Sequence, residues 1–178
     1  MLFRSALRLQ KSLNSLKAGT FVNYNVKPLP WCTGQLGVRY DFFAYNQTGQ
    51  VSPRALLTLQ VSELASLHAS AGVFHQNMPS ILLVQNPDAK TMSDPAATHY
   101  VIGYSRLLSE NTKWTVEAYL KQYRHFPMDP AQPGLFMLDE IFYRYAFFFS
   151  HAQLLDNGKA ETRGIEMKIG RASCRERV

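Results

Sequence analysis

Apolar and polar residues alternate with a period of two along most of this chain. Gly37-Val38-Arg39-Tyr40-Asp41 shows the pattern, and after a short polar gap Val51-Ser52-Pro53-Arg54-Ala55-Leu56-Leu57 resumes it. Successive side chains of an extended strand point to opposite faces, so the alternation predicts strands with one apolar and one polar face. Residues 18–26 place Thr20, Val22, Tyr24 and Val26 against Gly19, Phe21, Asn23 and Asn25. Residues 34–43 place Leu36, Val38, Tyr40 and Phe42 against Gln35, Gly37, Arg39 and Asp41. Residues 51–61 and 66–74 continue the pattern, as do 99–105, 114–123 and 164–168. Residues 6–16 fit an entering strand through Leu7, Leu9 and Leu13, although an amphipathic helix fits them as well.

The gaps between strands carry a second regularity. Short turns are expected near Pro28, Ser62 and Asn111, and longer loops near Asn46, across residues 76–98 and across 126–157. Lys27-Pro28-Leu29-Pro30-Trp31 should end the first clear strand, because proline donates no ladder hydrogen bond. Pro53 belongs near a strand end or a bulge for the same reason. Short turns at one end and long loops at the other are what a transmembrane β-barrel wall requires, and a soluble sandwich does not require them. Tyr24, Tyr40, Phe42, Tyr100, Tyr104 and Trp114 fall on the apolar parity, as aromatic girdles would. The expected fold is therefore all-β: an antiparallel transmembrane β-barrel wall of about seven strands from a larger plugged barrel.

The ends alter the composition. Residues 169–178 show neither a strand nor a helix period, and they resemble the translation of a short-read sequencing adapter. Met1-Leu2-Phe3-Arg4-Ser5 resembles the opposite adapter, and the codons inferred at the two ends are reverse complements over a shared stretch. Residues 1–5 and 169–178 are accordingly read as adapter-derived and excluded from fold reasoning. That leaves residues 6–168 as an internal piece of a longer gene. The whole chain holds nineteen Lys+Arg and thirteen Asp+Glu, a net charge of +6. Setting aside Arg4, Arg171, Arg175, Arg177 and Glu176 leaves fifteen basic against twelve acidic residues, a net +3. No basic patch survives to support nucleic-acid binding. Cys32 is then the lone cysteine, which excludes a disulfide framework or a paired-cysteine metal site. No run of 18 apolar residues exists to form a transmembrane helix.

Five motifs, in order, resemble the TonB-dependent receptors of Gram-negative outer membranes. They are Leu36-Gly37-Val38-Arg39-Tyr40-Asp41 with Ser52-Pro53-Arg54, then the strand from Ser66 through Gly72 to Gln76. Asn86-Pro87-Asp88 with Thr98-His99-Tyr100-Val101-Ile102-Gly103 follows, then Trp114-Thr115-Val116-Glu117-Ala118-Tyr119-Leu120-Lys121, then Arg163-Gly164-Ile165-Glu166. The resemblance covers nearly all of residues 18–168. It implies a 22-stranded barrel in the cell outer membrane, in contact with its lipid and plugged by an N-terminal domain that these residues do not include. It also implies energised uptake of a scarce small molecule (siderophore, cofactor, sugar or peptide) through the TonB complex, which contacts a further N-terminal segment. A passive porin-type barrel would share the wall, and a soluble all-β binding domain would share the alternation.

Arg39, Asp41, Arg54, His68, His99, Glu117 and Lys121 lie on the polar parity, so they would face the lumen and its plug. A solvated barrel interior also needs such residues. The most aromatic stretch, residues 138–149, offers Phe142, Tyr143, Tyr145 and Phe148 as rigid contacts for a ligand in a loop. Asp139 and Glu140 are adjacent, so in a strand they would point to opposite faces and form no catalytic pair. His68 and His75 have no metal-ligand spacing with another His or Cys. No nucleophile motif, P-loop or dinucleotide fingerprint occurs, so no enzyme, catalytic residue, metal or cofactor is expected.

Overall fold

The computed structural model describes residues 15–79, 83, 90–131 and 154–171 of the 178-residue chain. They form one antiparallel sheet of seven strands: β1 (Lys17–Leu29), β2 (Cys32–Phe43), β3 (Thr48–Ser62), β4 (Ala65–His75), β5 (Ala96–Ser109), β6 (Thr112–Met128) and β7 (Leu155–Arg171). Each strand pairs with its sequence neighbours, in the order β1 to β7, and the sheet is open at β1 and β7. Only neighbouring strands are in contact, so among the described residues no second layer covers either face. No helix among them is long and apolar enough to cross a membrane, which says nothing about strands.

The alternation set the faces correctly, and the boundaries moved outward. β1 continues through Pro28 to Leu29, past the expected stop. Its register slips between Val26 and Leu29, and such an irregularity on an edge strand is where proline is tolerated. Pro53 also sits where pairing ends: the ladder of β3 with β4 begins only at Arg54 and Gly72. β6 reaches Met128 and β7 starts at Leu155, so the second long connection is residues 129–154. β7 also runs through Ile169, Gly170 and Arg171, because Ile169 extends the parity of Ile165 and Met167 and pairs with Trp114. Residues 6–14 and the aromatic stretch 138–149 lie outside the described residues.

Connections alternate in length. Pro30-Trp31, Glu63-Leu64 and Glu110-Asn111 are two-residue turns at one end of the sheet. Residues 44–47, 76–95 and 129–154 join the strands at the other. The connection at Asn46 is shorter than the loop expected there. It is a four-residue turn in which Gln47 takes a left-handed φ of 54°.

The register is staggered. One ladder row runs Cys32–Leu59–Leu67–Tyr104–Val116–Met167 across β2 to β7. The first short turn leaves the sheet beside Cys32 on that row. The second lies two residues beyond the row, at Ala65, and the third four residues beyond, at Thr112. With a rise of about 3.3 Å per residue and about 4.8 Å between strands, the turn line is inclined to the ladder rows by about 35°.

The apolar face is exposed. Val22, Tyr24, Leu36, Val38, Tyr40, Val51, Leu57, Leu67, Tyr100, Ile102, Ile165, Met167 and Ile169 are all solvent-facing. Its upper limit slopes the same way as the turns. For the exposed side chains it falls from Tyr40 on β2, eight residues above the reference row, to Ile165 on β7, two residues above it, while Phe42 beyond Tyr40 is half-buried. That gives an inclination of about 40°. The apolar band measures about 25 Å across its slanted edges on β3, from Val51 to Val61, and narrows to about 15 Å on β6. Tyr40 and Tyr100 mark its upper margin and Trp114 its lower. Tyr104 meets Trp114 edge to face at 6.1 Å between ring centroids.

Buried side chains gather at the long-loop end. Phe43, Met78, Leu83, Met92, Ala96 and Leu154 are the buried apolar residues there. Lys17 covers the Phe43 ring at 4.4 Å.

Candidate functional site

All seven polar-parity residues singled out from the sequence fall on one face, because the registers carry one parity unbroken from β2 to β6. Two ladder rows organise it. The first runs Asn23–Gly37–Arg54–Gly72–His99–Lys121–Thr162. The second runs Thr33–Thr58–His68–Gly103–Glu117–Glu166. The face is not wholly polar, since Phe21, Leu56, Val101 and Tyr119 share it.

Glycines in these rows let side chains from non-adjacent strands meet. A Cβ on Gly37 would come within 2.7 Å of the Arg54 Nε. Without it, the Arg54 guanidinium crosses β2 and donates to Asn23 Oδ1 at 3.0 Å. Gly103 does the same for β5, where a Cβ would collide with the His68 imidazole. His68 Nε2 and Glu117 Oε1 consequently meet at 2.9 Å across that strand. Lys168 approaches the other Glu117 oxygen at 3.9 Å and Glu166 at 2.8 Å.

The remaining members are held more locally. Arg39 donates to both Asp41 oxygens, at 2.6 and 2.7 Å. Lys121 lies over the Tyr119 ring at 4.9 Å. His99 packs on Phe74, with ring centroids 4.7 Å apart. The first row therefore places Arg54, His99 and Lys121 in line without a carboxylate, while Glu117 in the second has His68 hydrogen-bonded to one oxygen and Lys168 near the other. Arg39 and Asp41 form a separate pair nearer the long loops. No three His, Cys, Asp or Glu side chains converge among the described residues. Phe142, Tyr143, Tyr145 and Phe148 lie outside them.

Sequence reasoning missed a cluster at the loop end. Asp94 is only 2% exposed, and its carboxylate ties the 76–95 connection to the β2–β3 hairpin. It accepts from Thr48 Oγ1 at 3.0 Å, Asn77 Nδ2 at 3.2 Å, Met78 N at 3.4 Å and Gln50 Nε2 at 3.5 Å. Asn46 Oδ1 lies 2.8 Å from the same Thr48 hydroxyl, so the two acceptors share its one proton. The Asn46 amide nitrogen is buried beside it and has no partner among the described residues. Nearby, Ser52 Oγ and His75 Nδ1 are 3.1 Å apart, in the gap that opens where the β3–β4 ladder stops. The signal available was Asp94-Pro95 directly before a strand. That is a common turn sequence, and it says nothing of a partner 46 residues away. Farther out, Asp156 accepts from Ser93 N at 2.8 Å, and this bond holds its carboxyl below the usual carboxylate range.

No protein-family model matches the chain, and no curated protein matches it.

Proposed function

We propose that this chain is part of the wall of a transmembrane β-barrel in a bacterial outer membrane, and that the barrel is a TonB-dependent receptor. The observation that carries the wall reading is the shared slope of the turn line and the apolar limit. A strand tilted by 35–45° in a membrane must have its turns and its apolar band staggered along the ladder rows by that angle. The inclinations of about 35° and about 40° reached from turns and side chains separately fall in that range. An exposed apolar face opposite a hydrogen-bonded polar face fits a wall with lipid on one side and an aqueous or plugged lumen on the other.

The receptor reading rests on the five ordered motifs. It gives the polar face a partner, the N-terminal plug, and gives the whole barrel the energised uptake of a scarce solute. Arg54 and Lys121 would be the lumen groups with charge left to offer that partner. A passive porin-type barrel is the alternative with the same wall.

Detergent dependence is the test. The chain should aggregate in plain buffer and become monodisperse in detergent micelles. Monodispersity without detergent would end the wall reading. Sequence upstream of this stretch should encode a plug of roughly 100–150 residues, an ordinary domain size. A wall with no such domain upstream would be porin-type.

A further inference from the structure

β1 is the barest strand of the sheet. All 13 of its residues are exposed, and among the described residues no strand pairs with its outer edge. Ala44 N donates to Leu16 O at 3.0 Å, at the head of a register with β2 that runs unbroken to Val26. The even-numbered residues of β1 therefore take the ladder bonds to β2. The odd-numbered ones, Lys17, Gly19, Phe21 and Asn23, aim their amides and carbonyls at the open edge. Such a row is a template for another strand.

One side chain already reaches toward that strand. Asp41 on β2 leans over Gly19, where a Cβ would come within 2.6 Å of its Oδ1. Twice inside the sheet a glycine crossed in this way has a hydrogen-bonding partner on its far side. Arg54 passes Gly37 to reach Asn23, and His68 passes Gly103 to reach Glu117. By the same geometry a strand beyond Gly19 should offer Asp41 a donor. Arg39 takes one lone pair of each Asp41 oxygen, so each can accept again.

The residues ahead of β1 have the sequence for such a strand. The chain enters β1 at the long-loop end, so a hairpin turn is the shortest return along the open edge. A two-residue turn at Asn14-Ser15 sets Leu13 opposite Leu16, and asparagine tolerates the left-handed backbone that such turns need. Leu9 then stands opposite Thr20 and Leu7 opposite Val22, so all three leucines fall on the apolar side, with Lys11 opposite Ala18. Arg8, Gln10 and Ser12 fall on the polar side. Gln10 stands opposite Gly19, where its amide is the donor that Asp41 calls for. A slip of one residue would exchange the two faces.

We propose that residues 6–13 dock on the open edge of β1 as a further antiparallel strand, with Leu9 opposite Thr20 and Gln10 opposite Gly19. Eight residues span about 26 Å, enough to cover β1 from Leu16 to Asn23. The inference does not depend on lipid, because it concerns the edge of the sheet.

Disulfide trapping in the full chain, with Cys32→Ser and Cys174→Ser, is the test. Leu9 and Thr20 would be a non-hydrogen-bonded pair, with Cα atoms about 4.5 Å apart and within disulfide reach. Leu9→Cys/Thr20→Cys should close an intramolecular disulfide at least about tenfold faster than Lys11→Cys/Thr20→Cys, whose diagonal neighbours are about 7–8 Å apart. Arg8→Cys/Thr20→Cys, on opposite faces, should be as slow. Asn25→Cys/Gln35→Cys, a pair of the β1–β2 ladder, reports that the sheet has formed, and the rates are read in whichever of micelles or plain buffer it oxidises. With that control oxidised, equal rates for the Leu9 and Lys11 pairs, or no disulfide at the Leu9 pair, would overturn the strand. Disulfides formed only between chains would give the edge to a second copy and overturn it too. If the control and the Leu9 pair both oxidise in a chain monodisperse in plain buffer, the wall reading fails and this strand stands. If the control alone oxidises in micelles, the strand fails and the wall stands.

Discussion

Leu57→Arg is expected to cost the inserted chain about 2–4 kcal/mol, whereas arginine at Val51 or Val61 on the same face should cost about 0–1. Leu57 pairs with Gly34 and Ala69 near the middle of the apolar band, while Val51 and Val61 stand at its limits on β3. An arginine at mid-depth must carry its charge into hydrocarbon or drag water in after it. At the margins the long side chain reaches the headgroups instead. Ser70→Arg, on the opposite face of β4, should be nearly neutral because that face is already solvated. Equilibrium unfolding of the four variants from zwitterionic bilayers gives the comparison. A second sheet covering the apolar face would penalise all three outward positions alike, so a loss independent of depth would contradict the wall.

Asp94→Ala acts elsewhere and by another mechanism. It strips one acceptor from Thr48, Asn77, Gln50 and the Met78 amide inside a cluster that excludes solvent. Hydrogen bonds to a charged group contribute about 1.5–3 kcal/mol, and buried donors left unsatisfied carry a desolvation penalty of about 1–3 kcal/mol. Two of the four contacts are long, so a net loss of about 2–3 kcal/mol is expected. It should appear as local opening of the 76–95 connection, with the strand ladders intact. Hydrogen exchange and proteolysis within that connection should accelerate about thirtyfold or more, and Asp94→Asn should recover part of the protection. Unchanged protection in Asp94→Ala would show that the packing of Met78, Leu83 and Met92 holds the connection without the carboxylate.

The two mechanisms show what was legible in the residues. Parity placed Leu57, Tyr100 and Ile165 on one face and Arg54, His68 and Glu117 on the other, because a strand's side-chain period is two and one slip of register would exchange the faces. Turn chemistry found the connections at Pro30-Trp31, Glu63-Leu64 and Glu110-Asn111. It overestimated the one at Asn46, where a polar, glycine-containing segment closes in four residues. The end of the first strand was drawn short because proline was given more stopping power than an edge strand allows, as Pro28 shows.

Pairings across a skipped strand were out of reach. Parity placed His68 and Glu117 on one face. That they touch depends on Gly103 lying between them in the ladder, and the register of three strands decides that. Asp94 was out of reach for a similar reason, since its partners come from a hairpin formed by β2 and β3.

The slope of the apolar band is the point on which the proposal turns, and it can be measured as depth. Leu36 and Arg163 share one ladder row through Ala55, Ala71, Tyr100 and Leu120. Single cysteine variants carrying a fluorophore at Leu36, Val38, Arg163 and Met167 should be read in bilayers with lipids brominated at known depths. For strands tilted by about 35–40°, labels at Leu36 and Arg163 should differ in depth by about 15 Å, and Val38 should lie level with Met167. Equal depths for Leu36 and Arg163, or no lipid quenching at any of the four, would contradict the tilted wall.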